Sequence, residues 1–542
     1  MPENSNQKRG SFLKWQPDAV SWMALALFMV VAVLPFMLML CKSFSIEGQL
    51  SFQNYNTVFS DSRVAGLLLK SFSLSAGAAL LSLIFGVPFA LVLARFDFVG
   101  RKISSLIYLV PLFIPPHVHA LAWIYLFGPQ GVINKSLMNI LHLPEAPVHL
   151  YSVFGAAVVL ALSYFPILVL LTLTGLFSMD ARMEEPASMH HRPLRVLRTI
   201  TLPLIAPYIG AGAVFVFIFS FFNYGVPSML RVPSFPVEIF TRFSAYYDEG
   251  GATALSLPMV AVALLLMGLQ WQFMKKKSFV STASGSRKST PRKLPQKYAL
   301  AASCFVSLIL LTAIALPLCS LLIQSASLES FKVALQTSHR EILTTFFVAA
   351  AAAIVTTALA YFLTMYIHNR RSSFTSMLDI CTYLPFAFPA ALFGIGLIYL
   401  WNRPATQIVY GTILILIIAC TARFIPFAIR IINFRLQQIS PSLREAALMH
   451  EGRWSKRFLC IDMPLVRRGL LICAVITFIF ATSELGATLL VIPPGQGTIA
   501  LKIYTLMHYG SGPLVAAQSL LLIGMNLLAS SILLIGLNKN CV

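Results

Sequence analysis

Residues 214–225 read VFVFIFSFFNYG and residues 475–486 read VITFIFATSELG, two apolar runs that each end on a polar residue two positions before a glycine. A run of about 20 apolar residues is what a helix needs to cross the hydrocarbon core of a bilayer. The same pairing extends outward from both runs. ITLPL (200–204) matches IDMPL (461–465), MEEPASMH (183–190) matches LREAALMH (443–450), and YLVPLFIPP (108–116) matches TYLPFAFPA (382–390). The matches keep their order, so the chain reads as a parallel duplication whose halves surround a central path. The offset falls from 274 to 260 between Tyr125 and Glu185, which gives the first half the longer loop there.

Composition agrees. Of 542 residues 58% are apolar and 11% charged, with a mean hydropathy of +0.79. Soluble domains carry roughly 25% charged residues, so a string of soluble domains of this size is excluded. Twelve apolar runs are long enough to span, near 20–40, 70–94, 104–127, 151–177, 204–224, 253–274, 298–323, 342–367, 376–400, 409–433, 468–490 and 513–537. The reading is an all-α polytopic membrane protein of about twelve transmembrane helices in two homologous six-helix halves. The first run lacks a small-residue cleavage site and reads as a retained helix. With the N-terminus inside, the inner segments hold 29 of the 40 Lys and Arg residues and the outer ones 10, while Arg423 alone falls well within a span. That bias puts both termini in the cytoplasm and accounts for the net charge of +21 without a nucleic-acid partner. The divisions are a cytoplasmic N-terminus (1–19), a first transmembrane half (20–274), a basic, Ser- and Thr-rich cytoplasmic linker (275–297) and a second half (298–542). Eight cysteines without a CxxC pair read as apolar fillers.

Between the tenth and eleventh runs lies REAALMHEGRWSKRFLCIDMPL (444–465). It resembles the EAA loop of ABC-importer permeases at Glu445, Ala446, Ala447, Ile461 and Pro464, with Gly452 one place after the usual glycine. The first half carries a weaker copy at Glu185, Pro186, Ala187, Ile200, Leu202 and Pro203. The resemblance implies a type I importer permease fold, in which each loop makes a short coupling helix that docks on an ATPase subunit. Glu and Ala suit a short helix, and a following Gly or Pro is expected to end it. An ordinary basic loop would explain one such triplet, but hardly two in equivalent places. The stretches 111–134 and 483–510 look like fused two-half permeases of ferric-iron importers; thiamine and polyamine permeases share the class.

No Gly-x-x-x-x-Gly-Lys-Ser/Thr loop occurs, so the chain has no phosphate cradle of this kind. The resemblance therefore implies a permease that is not itself an enzyme and needs no cofactor. ATP would be bound by two separate ATPase subunits, and the solute delivered by a periplasmic or lipid-anchored binding protein to the inner membrane of a bacterium. An ion-coupled carrier is the alternative from another class, and it leaves both loops unexplained.

Charges at membrane depth are functional candidates. Glu484 and its repeat mate Asn223 are expected to line the path, with Arg423 a plausible partner for Glu484; a purely structural ion pair is the competing reading. His117 and His119 invite a metal reading, but residues two apart on a helix point some 200° away from each other, and the second half has Ala391 and Phe393 in their places. From the charge bias, protease added to sealed right-side-out cells should leave the 275–297 linker intact. Cleavage there, read by gel shift, would overturn the topology.

Overall fold

The computed structural model describes residues 18–46, 49–180, 183–275, 292–293, 295–370, 372–386, 388–437, 439, 449 and 454–538. Glu445, Ala446, Ala447 and Gly452 lie outside these residues, as do nearly all of 1–19 and most of the linker. Among the described residues ten helices are long and apolar enough to cross a membrane. In the first half they are α1 (Ala19–Ser43), α2 (Ser62–Arg95), α4 (Val153–Ser178), α5 (Pro193–Phe221) and α6 (Glu249–Gln270). The second half repeats them as α7 (Gln296–Ser325), α8 (Leu328–His368), α10 (Leu414–Leu436), α11 (Phe458–Thr482) and α12 (Gly512–Ile532). The chain is a multi-pass membrane protein. Among the described residues strand is confined to two-residue pairings, 45–46 with 49–50 and 96–97 with 292–293.

The two remaining runs, 104–127 and 376–400, are not continuous helices. The first breaks between Arg101–Phe113 and Pro116–Leu141 with a bend of 97°, and α3 (Pro116–Phe127) starts after Pro115. The second gives a helix over Ser373–Cys381, a 3-10 turn over Leu384–Phe386 and then α9 (Ala390–Trp401), which starts after Pro389. Proline supplies no N–H and its ring collides with the preceding turn. Two prolines spaced four apart therefore interrupt each span at the same place.

A second proline effect recurs four times. Leu34-Pro35, Leu202-Pro203, Leu316-Pro317 and Met463-Pro464 each follow a five-residue π turn. In each, the N–H just before the proline bonds the carbonyl five residues back: Leu34 to Met29, Leu202 to Leu197, Leu316 to Leu311 and Met463 to Phe458. A widened turn lets the helix continue past a missing donor. Pro203 and Pro464 sit inside α5 and α11; the first loop helix already ends at His190, and the second loop's 445–452 stretch lies almost wholly outside the described residues.

In each half the same three helices form the packing unit: α2, α4 and α5 in the first, α8, α10 and α11 in the second. The first helix of each half leaves its own unit. Ala24, Phe28 and Ala32 of α1 are buried with α8, α10 and α11, while Val306, Ala313 and Leu321 of α7 are buried with α2, α3 and α4. This exchange makes the halves one body with its centre between α5 and α11.

Candidate functional site

At that centre lies a cavity of about 130 Å³ walled by both halves. The apolar part of its wall includes Phe219, Phe427 and Phe480, with Phe219 and Phe427 stacked at 5.3 Å. Its polar part is built by the repeat. At the end of α5, Asn223 Oδ1 accepts the Val226 N–H at 2.9 Å; at the end of α11, Glu484 Oε1 accepts the Ala487 N–H at 2.9 Å. Each side chain closes the turn that follows its helix, which is why a polar residue stands three places before an otherwise unmatched N–H.

The partners of these two residues come from matching helices, one position out of register. Pro166 of α4 aligns with Pro426 of α10, so Ser163 and Tyr164 align with Arg423 and Phe424. Asn223 Nδ2 donates to the Tyr164 hydroxyl at 3.2 Å. Glu484 Oε2 pairs with Arg423 Nε at 2.8 Å, the carboxylate side chain being 6% exposed and the guanidinium 23%. One pair of helices in each half thus supports a neutral pair on one side and a charged pair on the other. Asn223, Arg423 and Glu484 all line the cavity. The ion pair and a place on the cavity wall are not alternatives here, because the structure gives Glu484 both.

Close approach brings the broken spans to the same place. A Cβ on Gly225 would stand 3.1 Å from His117 Cβ, and one on Gly486 would stand 2.6 Å from Ala390 Cβ. Glycine at both positions lets these turns press on the first residues of α3 and α9. Asn526 of α12 links the halves as well: its Nδ2 donates at 2.9 Å to the Phe113 carbonyl beside the break, and its Oδ1 accepts from Thr482 at 2.6 Å.

The two histidines part company, as a helix requires. His117 lines the cavity and is 3% exposed, with its Nε2 unpartnered. His119 is fully buried and its Nε2–H donates at 3.1 Å to the Ala313 carbonyl of α7. Four residues beyond Ala313 stands Pro317, which has no N–H for that carbonyl. Among the described residues no group of three His, Cys, Asp or Glu side chains is placed to hold a metal.

In the first EAA-like loop Glu185–His190 forms a short helix, with Glu185 and Pro186 exposed and Ala187 half-buried, while Ile200 lies in the π turn ahead of Leu202 and Pro203. In the second, Ile461 lies in the matching π turn and Pro464 follows it. Sequence reasoning passed over two features here. Glu184 pairs with Arg95 at the end of α2, with Nη2 to Oε1 at 2.5 Å, and accepts from the Thr201 hydroxyl of α5 at 2.5 Å. Met189 and its repeat mate Met449 stand 81% and 83% exposed. The shared Met-His dipeptide in both loops was the available signal for the second feature. The first needs the fold, because Arg95 and Glu184 lie 89 positions apart.

Residues 86–278 match the family described as binding-protein-dependent transport system inner membrane component. The chain is 22% identical over 453 residues to the Fe(3+)-transport system permease protein FbpB 2 of Haemophilus influenzae, covering 82% of this chain and 84% of that protein. It is 24% identical over 491 residues to the ferric transport system permease protein FbpB of Actinobacillus pleuropneumoniae, covering 85% and 70%. It is 31% identical over 213 residues to the molybdenum transport system permease protein ModB of Escherichia coli, covering 38% of this chain and 91% of that protein.

The charged pair gives a direct test. Arg423→Gln leaves a buried carboxylate alone and should lower the stability of the purified protein by about 2 kcal/mol, less than a fully buried pair because the guanidinium is partly solvated. Glu484→Gln should cost less, since its amide oxygen still accepts the Ala487 N–H. The double variant should recover part of the Arg423→Gln loss in thermal unfolding; strict additivity would show that the pair is not coupled.

Proposed function

The chain belongs to the binding-protein-dependent transport-system inner-membrane components, and from that premise we propose that it imports ferric iron by alternating access, driven by two separate ATPase subunits. It is an ABC-importer permease in fold and family. The observation that carries the iron reading is the likeness to ferric permeases over more than four-fifths of the chain, both halves included. A solute-binding protein hands over the iron at the face away from residues 185–190, and both termini lie in the cytoplasm.

Energy coupling is assigned to the loops at 185–190 and 444–452. The exposed Met189 and Met449 support this, since a flexible thioether reaching into solvent suits a shallow apolar groove on a partner. Docking there would pull on helices directly. Glu184 ties the first loop to both α2 and α5, and α5 carries Asn223 at its far end. In this reading Asn223, Arg423 and Glu484 belong to the translocation path. No chemical bond changes in the permease; the partner subunits hydrolyse ATP and the chain itself takes no cofactor.

Cells lacking the chain should lose ferric iron uptake and keep thiamine and polyamine uptake, as read with labelled solutes. Unchanged iron uptake with loss of either of the others would replace the iron reading. Met449→Asp and Glu445→Lys should each abolish co-purification of the ATPase, while Glu445→Ala should weaken it only partly. ATPase retained by both of the first two variants would remove the coupling role.

A further inference from the structure

The wall of the central cavity is unbalanced between donors and acceptors. Both Glu484 carboxylate oxygens are committed, one to Arg423 and one to the Ala487 N–H. The Asn223 amide oxygen is committed to the Val226 N–H. Donors remain. Arg423 uses its Nε for Glu484, and its two terminal amino groups make no hydrogen bond among the described residues. Tyr164 accepts from Asn223 and keeps its own O–H proton to give. His117 is 3% exposed and its Nε2 has no partner.

The broken spans add to this imbalance. α3 and α9 are each 12 residues long, and neither has a side-chain cap at its start. Their first residues, Pro116, His117 and Ala390, line the cavity. A helix start carries about half a positive charge on its unmatched N–H groups, and half-helices that begin at membrane depth present that charge to anionic solutes. Among the described residues the only formal charges at the wall are the Arg423–Glu484 pair, which sums to zero. What is left over on the donor side is the two helix starts, the Arg423 amino groups and the Tyr164 O–H; beside them stand His117, whose Nε2 gives or accepts according to its tautomer, and the Ser163 and Ser483 oxygens, whose protons go to Val159 and Ile479.

From this we infer that the cavity takes its solute through oxyanion or carboxylate oxygens: the species that passes is an oxygen-rich anion, or a metal ion still wrapped in an anionic oxygen ligand, and not a bare cation. The inference rests on the cavity being the path. A bare ferric ion would find there no carboxylate free of a cationic partner, whereas an iron carboxylate complex would meet Arg423 and Tyr164 as donors, with His117 beside them. A free tetrahedral oxyanion such as molybdate would meet the same groups.

The test uses the full-length chain in lipid nanodiscs, with binding read by calorimetry for ferric citrate, citrate, molybdate and manganese(II) chloride. Saturable binding of ferric citrate or molybdate without binding of manganese is the expected result. Ferric citrate alone identifies a wrapped metal as the solute, and molybdate alone identifies the free oxyanion. The Arg423→Gln, Glu484→Gln double variant leaves no lone buried charge and should weaken anion binding about tenfold. His117→Ala, which copies the second half's Ala391, should weaken it less. Saturable manganese binding without anion binding, binding of no probe, or anion binding unchanged in the double variant would each overturn the inference. Iron uptake in cells is a separate readout. Uptake that depends on the chain together with cation-only binding would keep the proposed function and remove this inference, and the opposite pair of results would do the reverse.

Discussion

A backbone carbonyl deprived of its N–H partner has no water to turn to at membrane depth, and this chain repeats that deprivation by proline in matched places. The prolines at 35, 203, 317 and 464 follow π turns, while those at 115 and 389 stand where spans break. Each loss has a local remedy. The π turns shift the ladder by one residue, His119 supplies a donor to Ala313, and Asn526 supplies one to Phe113 beside the break. The breaks in turn bring two helix starts to one cavity. Much of the molecule's polar chemistry at membrane depth follows from where prolines stand.

On that scaffold the halves differ in their chemistry. Asn223 and Glu484 are repeat mates and hold equivalent turns, while their partners Tyr164 and Arg423 come from neighbouring, not equivalent, positions of α4 and α10. The repeat gives both sides the same turn, and one side alone is ionic. A fully symmetric cavity would hold either two ion pairs or none. A single pair keeps the formal charge at zero yet leaves one guanidinium edge on one side of the cavity, so its two walls differ. The exchanged helices α1 and α7 bind the two units together.

The span pattern, the duplication and the EAA-like loops were legible because they rest on periodic apolar runs and on matched motifs. Arg423 and Glu484 could be singled out because charges are costly in lipid. The pairing of Ser163 and Tyr164 with Arg423 and Phe424 was also available, through the aligned Pro166 and Pro426, but it carries meaning only once α4 is seen against α5. The π turns were not legible, since the same Leu-Pro pair is compatible with a helix start. The Pro-x-x-x-Pro pairs marked where the spans at Pro115 and Pro389 could break, but not that they do, and the Arg95–Glu184 tie lies between residues whose nearness only the fold supplies.

The central claim is that the cavity between α5 and α11 is the path and opens alternately to the two sides. Ser163 and Ser483 both line it, and in a chain with its eight native cysteines replaced, Ser163→Cys and Ser483→Cys report access from either side. The measurement is labelling by a membrane-impermeant thiol reagent applied to each face of sealed vesicles that contain the partner ATPases, with and without trapped ATP. The account predicts that both positions label from one face at rest and from the opposite face when ATP is trapped. Labelling that is absent from both faces, or that keeps the same side in both conditions, would contradict it.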